Sequence, residues 1–185
     1  MRDIWEEIKE DRESGTRRLV AEYGDRLYAA ALLLCLTAAD AEELVFRTFE
    51  RAVSRIGQFK PGGAFYGWLY VIMLNFRRMD LRRNQPDVVS VGTTADLPEV
   101  ADTSFVDALS GVDAEMVRRS LRRIPYGLAE VLVLRFFEGW SMDEIAEILE
   151  IPVGTVKSRL HHAKAAFRTA FLEVPTGFAE VDHDR

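Results

Sequence analysis

Apolar residues recur three and four positions apart along most of this 185-residue chain, and the recurrence stops once, between residues 85 and 113. That spacing is the period of an α-helix with one buried stripe. No stretch alternates apolar and polar residues for long enough to make a sheet strand. The expected fold class is therefore all-α: two small helical domains joined by a flexible acidic linker, the second containing a helix-turn-helix. The interruption, "NQPDVVSVGTTADLPEVADTSFVDALSG", has no basic residue and scatters Gly, Pro, Ser and Thr without a period. Such a composition reads as a mobile tether. The expected boundaries are a first domain over 1–84, a linker over 85–113, a second domain over 114–172 and a frayed tail over 173–185.

In the first domain the pattern predicts a short helix over 4–12 and a longer one over 16–36. Thr37 is placed to cap a third helix, "AADAEELVFRTFERAVSRI", which ends near Gly57. "GQFKPGG" is a loop, and "AFYGWLYVIMLNFRRMDLRR" is a fourth, very apolar helix. The second domain is expected to hold helices over 114–123, 127–138, 142–149 and 155–172.

The net charge of −6 argues against indiscriminate sticking to nucleic acid, but the charge is laid out in blocks. Residues 58–85 carry five bases and one acid, residues 86–116 seven acids and no base, and residues 155–168 four bases and no acid. Any binding to DNA must come from the two local positive patches. No apolar run approaches the roughly 18 residues that a membrane span requires, so no membrane insertion is expected. The acidic, periodic N-terminus is unlike a targeting leader. Cys35 is the single cysteine, which leaves no disulfide framework or thiolate metal cluster and fits a reducing, cytoplasmic setting.

"SMDEIAEILEIPVGTVKSRLHHAKAAF" holds the densest signal. Ser141 and Glu144 have capping-box spacing and start a helix at Met142. Ile145, Ala146 and Leu149 supply its buried stripe. Pro152 and Gly154 make the turn, and Thr155 is placed to cap the next helix. There Val156, Leu160, Ala163 and Phe167 face inward together. Ser158, His161, His162 and Ala165 share the opposite stripe, with Lys157, Lys164 and Arg168 along one flank and Arg159 on the other. Short hydrogen-bonding residues flanked by cations suit a major groove lined with phosphates. The DNA-facing candidates are Thr155, Lys157, Ser158, Arg159, His161, His162, Lys164 and Arg168. Adjacent histidines point roughly 100° apart on a helix and cannot chelate one ion, so no metal is expected.

"FKPGGAFYGWLYVIMLNFRRMDLRRN" interleaves aromatics, one internal asparagine and arginines. That mixture can stack unpaired bases, hydrogen-bond a base edge and hold a backbone. Trp68, Leu69, Ile72 and Met73 are expected in the core. Phe59, Lys60 and Gly63 in the loop, and Asn75, Arg77, Arg78 and Arg82 on the helix, are the functional candidates.

At these residues a resemblance becomes visible. "EGWSMDEIAEILEIPVGTVKSRLHHAKAAFR" resembles the −35 reader of bacterial RNA polymerase sigma factors of the extracytoplasmic-function group, with "GTVKSRL" its most specific part. Alone, that run is also similar to response-regulator output domains, which usually lack the first domain found here. "AFYGWLY" with the asparagine beyond it resembles the part that melts and reads the −10 element. The resemblance implies a loop pocket for a flipped-out base, with Asn75 near it. "DAEELVFRTFERAV" resembles the polymerase-binding helix, with departures: Glu43 stands for the usual Asp, Phe46 for Gln and Arg47 for a common acid. It implies a polymerase contact through Asp40, Glu43, Phe46, Arg47 and Glu50. Phe46 sits roughly 130° from the centre of its helix's apolar face, which exposes it or presses it on a partner.

The resemblance covers residues 16–84 and 114–170 and implies a sigma factor that directs core RNA polymerase to promoter DNA. Its partners would be core polymerase, promoter DNA and an anti-sigma factor, and it needs no cofactor or catalytic residue. No nucleophile–base pair, phosphate loop or ligand cluster stands out. The alternatives are a sigma mimic that sequesters an anti-sigma factor and a helix-turn-helix regulator that uses the first domain for dimerisation or sensing.

Overall fold

The computed structural model describes residues 3–62, 64–84 and 113–174, and among these there is no strand. In the first unit α1 is Ile4–Glu10, α2 Arg12–Leu34, α3 Ala38–Ser54 and α4 Phe65–Asn84. A 3-10 turn at Ile56–Gln58 follows α3. The second unit holds α5 at Ala114–Arg123, α6 at Tyr126–Leu132, α7 at Met142–Leu149 and α8 at Val153–Glu173. The expected linker and most of the tail lie outside the described residues.

Local chemistry explains where these helices start and stop. Asp11 accepts hydrogen bonds from the backbone N–H groups of Glu13 and Ser14, so α2 begins four residues earlier than its apolar pattern suggests. Thr37 caps α3 as expected, and Asp40 completes a capping box by accepting from the Thr37 N–H. The fourth helix of the second unit's pattern begins differently from expectation. Pro152 is its N-cap and accepts from the N–H groups of Thr155 and Val156, so Thr155 lies within the first turn and caps nothing. The bend comes earlier, at Glu150, which takes a left-handed φ of 54° at the end of α7. Proline's preset φ lets the helix start directly after that bend. Expected as one helix over 127–138, the α6 segment instead widens at Val133–Phe137 into a π turn, with the Glu138 N–H reaching the Val133 carbonyl at 3.0 Å.

α2 is the shared element. It packs against α1 and α3, and it also receives α5, α6 and the π turn. Within the second unit α5, α6 and α7 all pack on α8. Leu19, Leu27, Leu69, Met73, Val131, Leu134, Ile145 and Val156 are completely buried, each worth roughly 1.5–3 kcal/mol in transfer terms. Among the described residues no helix is long and apolar enough to cross a membrane.

Candidate nucleic-acid and polymerase interfaces

α4 is 20 residues long, so its ends are roughly 30 Å apart. This length spreads the first set of candidates rather than gathering them in one pocket. Phe59 and Lys60 lie at the N-terminal end, Asn75 is central, and Arg77, Arg78 and Arg82 lie towards the C-terminus. Phe59 is turned inward. It is buried, meets Phe65 edge-on at 4.9 Å and tilts against Trp68 at 5.5 Å and Trp5 at 6.2 Å. An aromatic ring held by three others anchors its loop and cannot also stack on a base, which corrects the expectation for this residue. Lys60 is exposed, and Gly63 lies outside the described residues.

One concave feature among the described residues is a groove of about 300 Å³ between α3 and α4. Trp68, Ile72, Asn75, Phe76 and Met79 line it from α4, at the three-and-four spacing of one helical stripe. Arg51 from α3 and Arg55 at its C-cap, with Gln58 from the 3-10 turn, form the other wall. Leu69 and Met73 are buried as expected, whereas Trp68 and Ile72 are only half-buried and face the groove. The Arg47 and Arg51 guanidinium carbons lie 4.5 and 5.5 Å from the Phe76 ring centre. An apolar floor, an exposed amide and a cationic rim can take the face of an unpaired base and its phosphate. Sequence reasoning missed Arg51, Arg55, Phe76 and Met79. The two arginines are four residues apart, one on the last turn of α3 and one at its C-cap, but only the α3–α4 packing sets them beside Asn75.

Of the other arginines on α4, Arg77 donates to the Leu34 carbonyl at 2.9 Å and Arg78 to Glu130 at 3.1 Å, while Arg82 is exposed. Glu130 is a buried carboxylate, and the Tyr126 hydroxyl donates to the same oxygen at 3.1 Å. Burial pushes its carboxyl above the usual range, while Arg78 and the tyrosine hydroxyl pull it back.

On α3, Ala41, Leu44, Thr48, Phe49 and Ala52 are buried, and Phe46 is 70% exposed. Glu43, Phe46 and Glu50 follow one another at spacings of three and four and are all exposed, an apolar ring between two acids. The other two candidates there have local partners. Asp40 serves the capping box, and Arg47 bridges to both carboxylate oxygens of Asp80 on α4 at 2.9 and 3.2 Å.

In the second unit the Ser141–Glu144 capping box is formed, and its hydrogen bonds hold the Glu144 carboxyl below its ordinary range. On α8, Val156, Leu160, Ala163 and Phe167 are buried, as their spacing predicts. Lys157 and Arg168 are exposed, and Thr155, Ser158, His161, His162 and Lys164 are half-buried along the outer side. Arg159 departs from the outer set. Its Nε is buried without a hydrogen-bond partner, and its charge helps to stabilise that of Glu130 on α6. The His161 and His162 rings stand 5.8 Å apart at 88°. Among the described residues no group of three His, Cys, Asp or Glu side chains could hold a metal. Burial raises the Cys35 thiol to about 11.

An all-α pair of units, one grooved and cation-rimmed and one ending in a capped helix-turn-helix, defines the class of two-module DNA-binding proteins. Comparison with known sequences narrows the class. Residues 19–86 match the family model of Sigma-70 region 2 and residues 114–167 that of Sigma-70 region 4. The RNA polymerase sigma-H factor of Pseudomonas aeruginosa is 30% identical over 82% of this chain and 83% of its own. The ECF RNA polymerase sigma factor EcfG of Rhodopseudomonas palustris is 32% identical over 75% of each chain. SigW, an ECF RNA polymerase sigma factor of Bacillus subtilis, is 29% identical over 88% of this chain and 91% of its own. The chain belongs to the sigma-70 family of RNA polymerase sigma factors, in its extracytoplasmic-function group. Among solved structures, CnrH in complex with the cytosolic domain of CnrY superposes with a TM-score of 0.63 at 25% identity, over 90% of this chain and 93% of that one. The sigma factor RpoE bound to the anti-sigma factor NepR, from Bartonella quintana, gives 0.65 at 22% identity over 86% and 97%, a likeness of fold.

Proposed function

We propose that this chain directs core RNA polymerase to promoters, working as a dissociable subunit in the cytoplasm. Its first unit holds an unpaired strand of the −10 element, and α8 reads the −35 element in the major groove. The observation that carries this reading is the coexistence, at the family's positions, of a base-sized cation-rimmed groove and an exposed basic helix. One suits single strands and the other duplex. In the groove Arg51 and Arg55 hold phosphates, Trp68 and Phe76 stack, and Asn75 contacts a base edge, with Lys60 and Arg82 along the same path; Gly63, outside the described residues, remains a candidate for the same strand on its sequence position. On α8, Lys157, Lys164 and Arg168 grip the backbone, while Ser158, His161 and His162 face base edges.

The Glu43–Phe46–Glu50 stripe is the polymerase-docking surface, with Phe46 as its apolar anchor. Bond-making belongs to the polymerase, so the chain itself acts without catalysis and without a cofactor. The RpoE structure solved with the anti-sigma factor NepR supports an anti-sigma partner here too, and the acidic linker is suited to a basic channel of the polymerase. Transcription reconstituted from this chain, core polymerase and genomic DNA is expected to yield RNA from discrete start sites sharing −10 and −35 motifs. RNA absent from every upstream sequence, with no inhibitor present, would overturn the reading. Absence of RNA joined to tight capture of an anti-sigma factor would instead support a mimic.

A further inference from the structure

α1 lies before residue 19, where the match to Sigma-70 region 2 begins, so that match assigns it no role. It is nevertheless held in a fixed place. Ile4 and Ile8, four residues apart, are buried, and the helix packs along α2. The two helices come closest at Gly15. The Glu7 carboxylate accepts from Ser14 Oγ and from Arg18 Nη1 of α2, both at 2.8 Å. A seven-residue helix has no stability of its own, so α1 stands where α2 holds it. From there it also packs against the 3-10 turn at Ile56–Gln58. Trp5, half-buried, meets the Phe59 ring with centres 6.2 Å apart. Lys9, one turn further on, sets its ammonium 4.5 Å from the centre of the same indole.

Phe59 is the main hold on the loop that α1 touches. Among residues 57–62 it alone is buried, with its ring against Trp5, Phe65 and Trp68. The turn before it closes on itself, the Gln58 N–H reaching the Arg55 carbonyl at 2.8 Å and the Phe59 N–H the Ile56 carbonyl at 3.2 Å. After it the chain reverses at Pro61–Gly62, where Gly62 takes a φ of 96°. Two neighbours of Phe59 line the groove between α3 and α4: Gln58, adjacent in sequence, and Trp68, against its ring. We propose that Trp5 is a positioning residue for the strand groove. It completes the aromatic packing that seats Phe59 on Trp68, and so fixes Gln58 and Lys60 at the Trp68 end of the groove before a strand arrives. Trp5 acts through Phe59 and touches no DNA itself. A wall set in advance spares the bound strand the loss of freedom that ordering it would entail, and the gain appears as affinity. The inference rests on reading the groove as a site for an unpaired strand.

The test uses the full chain as wild type, Trp5→Ala, Trp5→Leu, Trp5→Phe and Lys9→Gln, each checked for folding by thermal melting. Amide hydrogen exchange reads the opening of residues 56–62. Two fluorescein-labelled mixed-sequence DNAs report binding, one fully paired and one with an unpaired central bubble. Trp5→Ala is expected to exchange faster through 56–62 and to bind the bubble about tenfold more weakly, with its affinity for the paired duplex unchanged. Its salt slope on the bubble should match that of wild type, because no phosphate contact is lost. Trp5→Leu, the gentler change for folding, should show the same two losses to a smaller degree. Trp5→Phe is expected to bring back slow exchange and affinity, since a ring again meets Phe59, and Lys9→Gln to alter neither. Unchanged exchange in both Trp5→Ala and Trp5→Leu would overturn the proposal, and so would faster exchange with undiminished bubble affinity. Equal losses on bubble and duplex would also sink it, as would a weaker, flatter salt response in Lys9→Gln, which would make α1 a direct DNA contact. If wild type binds the bubble no better than the paired duplex, the groove reading itself fails; a bubble preference that survives in Trp5→Ala removes Trp5 alone.

Discussion

Gly15 is buried where α1 crosses α2, and a Cβ there would lie 2.5 Å from the backbone nitrogen of Ile8. Backbone cannot yield as a side-chain end can, so the α1–α2 contact depends on the missing methyl. Gly15→Ala is expected to lower stability by about 1–3 kcal/mol in thermal or urea unfolding. Phe46 has the opposite character. It is 70% exposed on a helix of known register, so removing it relieves no packing. Phe46→Ala should leave stability within about 0.5 kcal/mol and yet weaken core-polymerase binding by about tenfold or more, measured by titration. Equal polymerase affinity of the two forms would take Phe46 out of the docking surface. Phe46 was conspicuous in the sequence, whereas Gly15 was not, because only the crossing of two helices explains why a glycine stands within a helix.

Individual elements carry their own chemistry. The capping box of α7 depends on Ser141, whose hydroxyl accepts from the Glu144 N–H at 3.2 Å while its own N–H donates back at 2.8 Å. Ser141→Ala is expected to cost about 1 kcal/mol. Glu144 is held below its ordinary range by the Ser141 backbone and side-chain hydrogen bonds, and Glu115 likewise by Arg118 and Arg119. A depressed carboxyl contributes stability that is present above its unfolded value, about 4.3, and lost as pH falls through the folded value. Acid titration of stability should therefore show a loss beginning below about pH 4.3, and Ser141→Ala should make that loss shallower. For α8, Arg168→Ala is expected to weaken binding to all duplexes alike and flatten the salt slope by about 0.9, as a lost phosphate contact does. Ser158→Ala should instead change preference at individual base pairs by about 1–3 kcal/mol, read from competition binding to single-base variants. Element legibility followed local chemistry. The caps at Thr37 and Ser141 and the buried stripe of α8 were readable because each needs only neighbours in sequence. The start of α8 was misread by two residues because a left-handed Glu150 is invisible in the residue type.

At the scale of the whole molecule, α2 and α4 both meet the second unit, where Arg26 donates to Glu138 at 2.9 Å and Arg78 to Glu130 at 3.1 Å. Tyr70 is fully buried with an unpartnered hydroxyl, and burial raises it well above the ordinary phenol range. An unmade hydrogen bond in such a place costs about 1–3 kcal/mol. Tyr70→Phe should raise the melting temperature, since it removes the unmade hydrogen bond; a lowered melting temperature would show the hydroxyl to be satisfied in solution. The groove between α3 and α4 belongs to this scale as well, because its two walls come from helices whose facing residues are more than a dozen positions apart.

By itself the sequence determined the helical class, the break between two units, the capped helix-turn-helix with its outward basic face, and the family. Each of these depends on periodicity or on contacts within one turn, which the order of residues encodes directly. Tertiary structure alone decided that Phe59 is an anchor, that Arg47 is tied to Asp80, that Arg51 and Arg55 rim the groove, and that Glu130 and Glu138 hold arginines of the other unit. Those assignments depend on which helix faces meet across long sequence separations, and burial and pairing there follow from packing geometry rather than from residue type.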